Sequence, residues 1–273
     1  MEEKVDILGT NINKISQKDL IEKISVILDE NKKKFIVTAN PEGVIIGAKD
    51  KDFRDIVNGA DFVTADGIGI LWAATFLNYK TAKNFIKYLE IPFLALVSLF
   101  FLVIRPSSVK KIIPERVAGS DLFWEMIKLA KENSKSIFLL GGQEGIAEEA
   151  SKVIKEKYPQ INIAGFYAGF PKEIGIVERI NNNNTNILFV AWGQPKQEKW
   201  IKENLKDLNI NLAIGVGGTF DFVVGKVRRS PIILQKMGLE WLWRLIKEPK
   251  RIKRIFIAVP KFIYTVINYK LKH

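Results

Sequence analysis

The chain has 273 residues and a formal net charge of +12, with no cysteine and a single histidine, which is the last residue. That composition excludes thiol nucleophiles, disulfides, zinc sites and histidine bases from any mechanism. The charge is lopsided: residues 226–273 carry thirteen Lys/Arg and two Glu, a balance of +11, whereas residues 1–225 carry twenty-nine Lys/Arg against twenty-eight Asp/Glu, a balance of +1.

Residues 1–225 have the size and composition of one α/β core. The opening Met1-Glu2-Glu3-Lys4 has no long apolar stretch behind it, so no cleaved signal peptide is expected and the chain is expected to stay in the cytoplasm. In chain order, β-branched runs predict strands at 4–8, 35–39, 61–64, 136–140, 162–166, 186–191 and 211–216. Segments of helical period fall between them at 18–30, 50–58, 68–77, 121–132, 144–158, 172–183 and 195–205. This alternation predicts a Rossmann-like, mainly parallel sheet with helices on both faces.

An apolar insertion at about 79–113 interrupts the rhythm. Its centre, 91–104, is apolar on every face and bracketed by Lys83, Lys87, Arg105, Lys110 and Lys111. Fourteen residues fall short of the roughly 20 needed to span a bilayer, which leaves a buried core helix or a shallow membrane insertion. The flanking cations favour the membrane. Residues 226–273 form a basic, amphipathic and helical appendage, in which Trp241, Trp243, Phe256, Phe262 and Ile263 are mixed with the charge. Such a segment suits an anionic membrane surface better than nucleic acid.

In open parallel sheets, ligands gather beyond the carboxyl ends of the strands. Asp66 stands there, before Gly67-Ile68-Gly69, as a candidate for chemistry or as a helix N-cap. Thr38 and Asn40 end the neighbouring strand, presenting a hydroxyl and an amide or serving as turn residues ahead of Pro41. Gly141-Gly142 is a weak phosphate candidate, since no glycine-rich nucleotide fingerprint is present. Gly217-Gly218-Thr219-Phe220-Asp221 offers a tight turn with an acid that could accept from ribose hydroxyls or cap a helix. Asp50-Lys51-Asp52 spells a metal-binding D-x-D, but inside a predicted helix its acids do not face each other, so it reads as solvated surface and no metal is expected. Arg244, Arg251 and Arg254 could grip a diphosphate, attract headgroups, or serve solubility alone.

Six stretches in order carry a resemblance: Ala39-Asn40-Pro41-Glu42, 60–69, 114–122, Gly193-Gln194-Pro195-Lys196-Gln197-Glu198, 215–221 and 238–245. Together they resemble the WecG/TagA/CpsF glycosyltransferases across nearly the whole chain. The resemblance implies a metal-independent, cofactor-free, inverting hexosyltransferase at the cytoplasmic face of the membrane, peripheral or monotopic, with a UDP-sugar donor and a polyprenyl-diphosphate-linked sugar acceptor. In its TagA branch, N-acetylmannosamine passes from UDP to undecaprenyl-diphosphate N-acetylglucosamine, a step of wall teichoic acid synthesis. On that footing Asp66 takes the acceptor proton, Thr38 and Asn40 position the sugars, and Gln197 contacts donor or acceptor. Gly217, Gly218 and Asp221 hold the nucleotide, and Arg244, Arg251 and Arg254 meet the lipid diphosphate. The insertion departs from the short link expected in the family. UDP-N-acetylmannosaminuronate or UDP-glucose as donor, a non-catalytic nucleotide-binding adaptor, and a homo-oligomer all remain open.

Overall fold

Alternating apolar strands and amphipathic helices build a layered α/β fold, described for residues 3–30 and 32–273 in a computed structural model. The chain opens with a hairpin of β1 (Lys4–Ile7) and β2 (Thr10–Asn13), then α1 (Gln17–Asp29). Next come β3 (Lys34–Ala39), α2 (Pro41–Gly47), α3 (Lys51–Asn58), β4 (Phe62–Ala65), α4 (Ile68–Leu77), α5 (Lys87–Ile104) and α6 (Gly119–Glu132). They are followed by β5 (Ser136–Gly141), α7 (Ile146–Lys157), β6 (Asn162–Tyr167), α8 (Ile176–Asn181), β7 (Ile187–Ala191), α9 (Lys196–Asn204), β8 (Leu212–Gly215) and α10 (Thr219–Val223). The chain finishes with α11 (Ile232–Lys236), α12 (Glu240–Lys247), α13 (Ile252–Phe256) and α14 (Phe262–Lys272).

Six strands form one sheet in the order β4-β3-β8-β7-β5-β6, every pairing parallel. Buried on both sides, its strands are nearly continuous apolar runs such as Ile187-Leu188-Phe189-Val190. Alternate side chains feed two cores. Phe35, Val37, Leu188 and Val190 pack with α3, α4 and α9, whereas Ile36, Ile187 and Phe189 pack with α1, α6 and α7. The predicted Rossmann-like sheet with helices on both faces is therefore the fold observed.

The predicted strand 4–8 forms, but outside the main sheet. Leu8 and Gly9 both take positive φ, 56° and 87°, and fold the chain straight back as an antiparallel hairpin. That hairpin covers the edge strand β4, where the Asn13 side chain accepts from the Val63 N–H at 2.8 Å. A second difference is α2, which reads as a turn from the sequence. Its two glycines hide it, yet Asn40 caps it by accepting from the Gly43 N–H at 2.8 Å, and Pro41 and Glu42 suit its first turn.

Adjacent strands β3 and β8 send their following helices to opposite faces: α2 contributes Val44 and Ile45 to one core, α10 contributes Phe220 to the other. That divergence opens a crevice at the carboxyl edge of the sheet. The chain end returns to the same neighbourhood. Phe262 and Val266 of α14 are fully buried on the α4 side, and the Lys270 ammonium donates to the Leu77 and Tyr79 carbonyls at 3.0 and 2.7 Å. Packed against both helices, α5 buries only Ile91, Ala95 and Ser98, so residues 91–104 are not a core helix.

Candidate active site

The crevice holds a cavity of about 320 Å³. It is lined by Asp66, Thr38, Asn40, Gln197, Gly217, Gly218, Asp221, Arg244, Arg251 and Arg254, so the fold brings every sequence-predicted site residue to one place. The parallel register sets the first two side by side, since Thr38 pairs with Thr64 and Asp66 follows one residue beyond Ala65.

Asp66 does not cap the helix that follows it. Gly67 occupies that cap position with no side-chain bond, and the Asp66 Oδ2 accepts instead from the Gly119 N–H at the start of α6, at 3.3 Å. Burial pushes its carboxyl up to about 6, against the pull of Arg116 and of the Gly119 N–H. Glu240 adds to the rise and Arg244 opposes it. Glycine at 119 leaves room for the site: a Cβ there would stand 3.2 Å from the Thr38 Oγ1, which would have to give by a few tenths of an ångström, and in van der Waals contact with the Asp66 Oδ2 at 3.6 Å. The Thr38 hydroxyl donates to the Gly215 carbonyl at 3.2 Å, tying β3 to β8 under the cavity.

Asn40 spends its side-chain carbonyl on the α2 cap and lines the cavity. Gln197 is buried, and its Oε1 accepts from the Gly193 N–H at 2.9 Å and the Gly217 N–H at 3.1 Å. It thereby locks two rim loops in one shape. Its Nε2 donates to Glu198 at 2.8 Å, and Gln194 donates to the Thr38 carbonyl at 3.1 Å. Glu198 is fully buried beneath this amide layer, and desolvation raises its carboxyl to about 7. Asp221, in the first turn of α10, lies beside the Gly217-Gly218 turn and faces the cavity.

The arginines come from the last segments of the chain. Arg244 lies with its guanidinium 4.7 Å from the Phe222 ring centroid; burial lowers its pKa, and Arg251 lowers it further. Arg251 pairs with Glu248, and Arg254 forks onto Glu42 of α2 at 2.7–3.1 Å. These pairs hold cations at the cavity wall on carboxylates that an entering phosphate could displace. Asp121 and Glu240 complete the fastening: Arg229 binds Asp121 through two nitrogens at 2.5 and 2.8 Å, and Arg116 binds Glu240 at 2.8 Å. Arg116 and Glu198 escaped sequence reasoning as individuals, although both lie in the motif stretches 114–122 and 193–198. Burial marks out Glu198 and the pull on the Asp66 carboxyl marks out Arg116, and a string of letters prints neither. Asp50 lies elsewhere, capping α3 on the Phe53 N–H at 3.0 Å and pairing with Lys199 at 2.9 Å.

The family model described as "Glycosyl transferase WecG/TagA/CpsF family" matches residues 5–91 and 100–273. The chain belongs to this family. It is a hexosyltransferase by that membership and by its relatives. One, from Staphylococcus aureus (strain MW2), is 28% identical over 98% of this chain and 94% of its own length. Another, from Bacillus subtilis (strain 168), is 30% identical over 94% of this chain and 88% of its own. Both carry the name N-acetylglucosaminyldiphosphoundecaprenol N-acetyl-beta-D-mannosaminyltransferase. The unmatched residues 92–99 fall within α5.

Proposed function

We propose that this glycosyltransferase moves N-acetylmannosamine from UDP-N-acetylmannosamine to undecaprenyl-diphosphate-linked N-acetylglucosamine, with inversion, at the cytoplasmic face of the membrane. The product would be the linkage unit of wall teichoic acid or a related surface polysaccharide. The observation that carries this reading is a buried carboxyl raised to about 6, opening on the same cavity as three arginines.

At neutral pH Asp66 is mostly ionised yet basic enough to accept a proton from a sugar hydroxyl. As the acceptor oxygen bonds to the anomeric carbon, the bond from that carbon to the UDP oxygen breaks on the opposite face. The electron pair leaves with UDP, and the proton ends on Asp66. Thr38 and the Asn40 amide position the sugars, and Gln197 sets the rim that receives them. The Gly217-Gly218 turn and Asp221 hold the nucleotide, and Arg244, Arg251 and Arg254 neutralise diphosphate charge.

The test is a donor screen with an undecaprenyl-diphosphate N-acetylglucosamine analogue in the presence of EDTA, read by product mass. An added N-acetylhexosamine from the N-acetylmannosamine donor is expected. Addition only from another UDP-sugar would replace the donor, and turnover lost to EDTA and restored by magnesium would overturn the metal-independent reading.

A further inference from the structure

Much of the α5 surface is uncovered. Phe93, Leu96 and Phe100 are 66%, 69% and 61% exposed, and Leu89, Val103 and Ile104 are exposed beside them. A contiguous apolar face of this kind marks a contact site on a soluble body. Its borders are charged in one sense. Residues 79–113 hold six Lys/Arg and one acid, Glu90, whose carboxylate accepts from the Ala82 N–H at 2.7 Å. Lys80, Lys83, Arg105, Lys110 and Lys111 stand exposed before and after the helix.

The packing of α5 fixes how this face is presented. Trp72, midway along α4, donates to the Ser98 hydroxyl at 2.9 Å. At the other end, Lys270 is held at the Leu77 carbonyl and feels the charge of Glu90. The two helices therefore run antiparallel, so the last turns of α5 are directed toward the end of α4 that follows Asp66. From the Trp72–Ser98 bond, α5 rises about 9 Å further to Ile104 and α4 runs about 7.5 Å back to Gly67.

We propose that α5 lies in the plane of an anionic bilayer, with its exposed face in the hydrocarbon edge and its flanking cations on the headgroup phosphates. A spanning pose is incompatible with the packing, because Ile91, Ala95 and Ser98 stay sealed against the body. At 1.5 Å per residue the helix is also about 27 Å long, short of a roughly 30 Å core. Apolar burial and surface charge act together in such interfacial helices. The membrane contact stands on α5 itself; its use, bringing a lipid-linked acceptor to Asp66, rests on the transfer reading above.

Because the chain has no cysteine, Leu96→Cys gives a single attachment point for an environment-sensitive dye on the full chain. Equal-part phosphatidylglycerol and phosphatidylcholine vesicles are expected to shift its emission to the blue, and brominated lipid chains to quench it. The same dye on Lys152→Cys, on the exposed face of α7, is expected to stay unchanged. Leu96→Ser, Phe100→Ser and Phe101→Ser together are expected to lower vesicle partitioning at least tenfold, with the melting temperature without lipid held within a few degrees. A dye at 96 that ignores vesicles, or triple-serine partitioning equal to wild type, would overturn the proposal. So would a wild-type dimer that the triple variant splits while still binding vesicles, since a second copy would then own the face. If the triple variant fails to fold, the dye at 96 decides alone. Vesicle binding through α5 without sugar transfer would instead sink the proposed function and leave this contact standing.

Discussion

Asp66 and Glu198 are two buried carboxyls raised for the same reason, loss of water, and they face different surroundings. Asp66 opens on the cavity, with Thr38 beside it and the arginines Arg116 and Arg244 in its field. Glu198 lies under an amide layer: its Oε1 accepts from Gln197, and its Oε2, like the neighbouring buried Gln194 Oε1, has no hydrogen-bond partner among the described residues. The lesson is that a perturbed acid marks burial, and only an open cavity with charge across it marks chemistry. Glu198 supports the layer that fixes Gly193 and Gly217, so its part is positioning.

The largest effect expected is at Asp66. Asp66→Asn keeps the shape and removes the base, so transfer should drop on the order of 100- to 10,000-fold while UDP binding changes little. Single-turnover rates and UDP calorimetry measure the two halves. A variant that keeps more than about a tenth of the wild-type rate would erase the distinction between the two carboxyls.

A smaller effect tests the field around Asp66. In the proposed role its carboxyl acts ionised, so kcat/KM should fall as pH drops through about 6 and level off above it. Arg116 is the largest charge opposing the rise. Arg116→Met should therefore move this limb to higher pH, leaving the rate at pH 9 closer to wild type than the rate at pH 6. A limb that does not move would mean that the kinetic group is not Asp66.

Much of this arrangement was legible in the sequence. The strand positions, the rim loops and the place of Asp66, Thr38 and Asp221 at that rim follow from period and punctuation, because short apolar runs and glycine turns are local signals, whereas the order of strands in the sheet does not. The hairpin partner β2 was not, since Thr10-Asn11-Ile12-Asn13 has one large apolar residue and gains its place by tertiary contact. Helix α2 was hidden by glycines at 43 and 47, which lower helix propensity while the Asn40 cap and burial of Val44 and Ile45 restore it. For α5, the period shows an apolar helix but not its surroundings. The largely apolar α4, ten residues long and buried throughout its centre, shows that composition alone does not separate a core helix from an exposed one.

The smallest effect concerns Glu198 and appears in stability. Its folded carboxyl titrates near 7, above the ordinary 4.5, so the unfolded chain releases this proton first as pH rises. Folding therefore loses stability from this group as pH climbs from about 4.5 to 7 and carries the full penalty above that. At 1.36 kcal/mol per pKa unit the penalty is on the order of 3 kcal/mol at pH 8. Glu198→Gln cannot ionise, still offers an oxygen to Gln197, and brings an N–H where an orphaned oxygen now stands. It should raise the melting temperature by roughly 6–12 °C at pH 8, given 2–4 °C per kcal/mol for a chain of this size, and by little at pH 5. Transfer should stay within about tenfold of wild type, because the rim loops keep their Gln197 bonds. Equal melting curves at both pH values would mean that Glu198 is hydrated in solution. A loss of transfer as deep as that of Asp66→Asn, with the fold intact, would move Glu198 from support to chemistry.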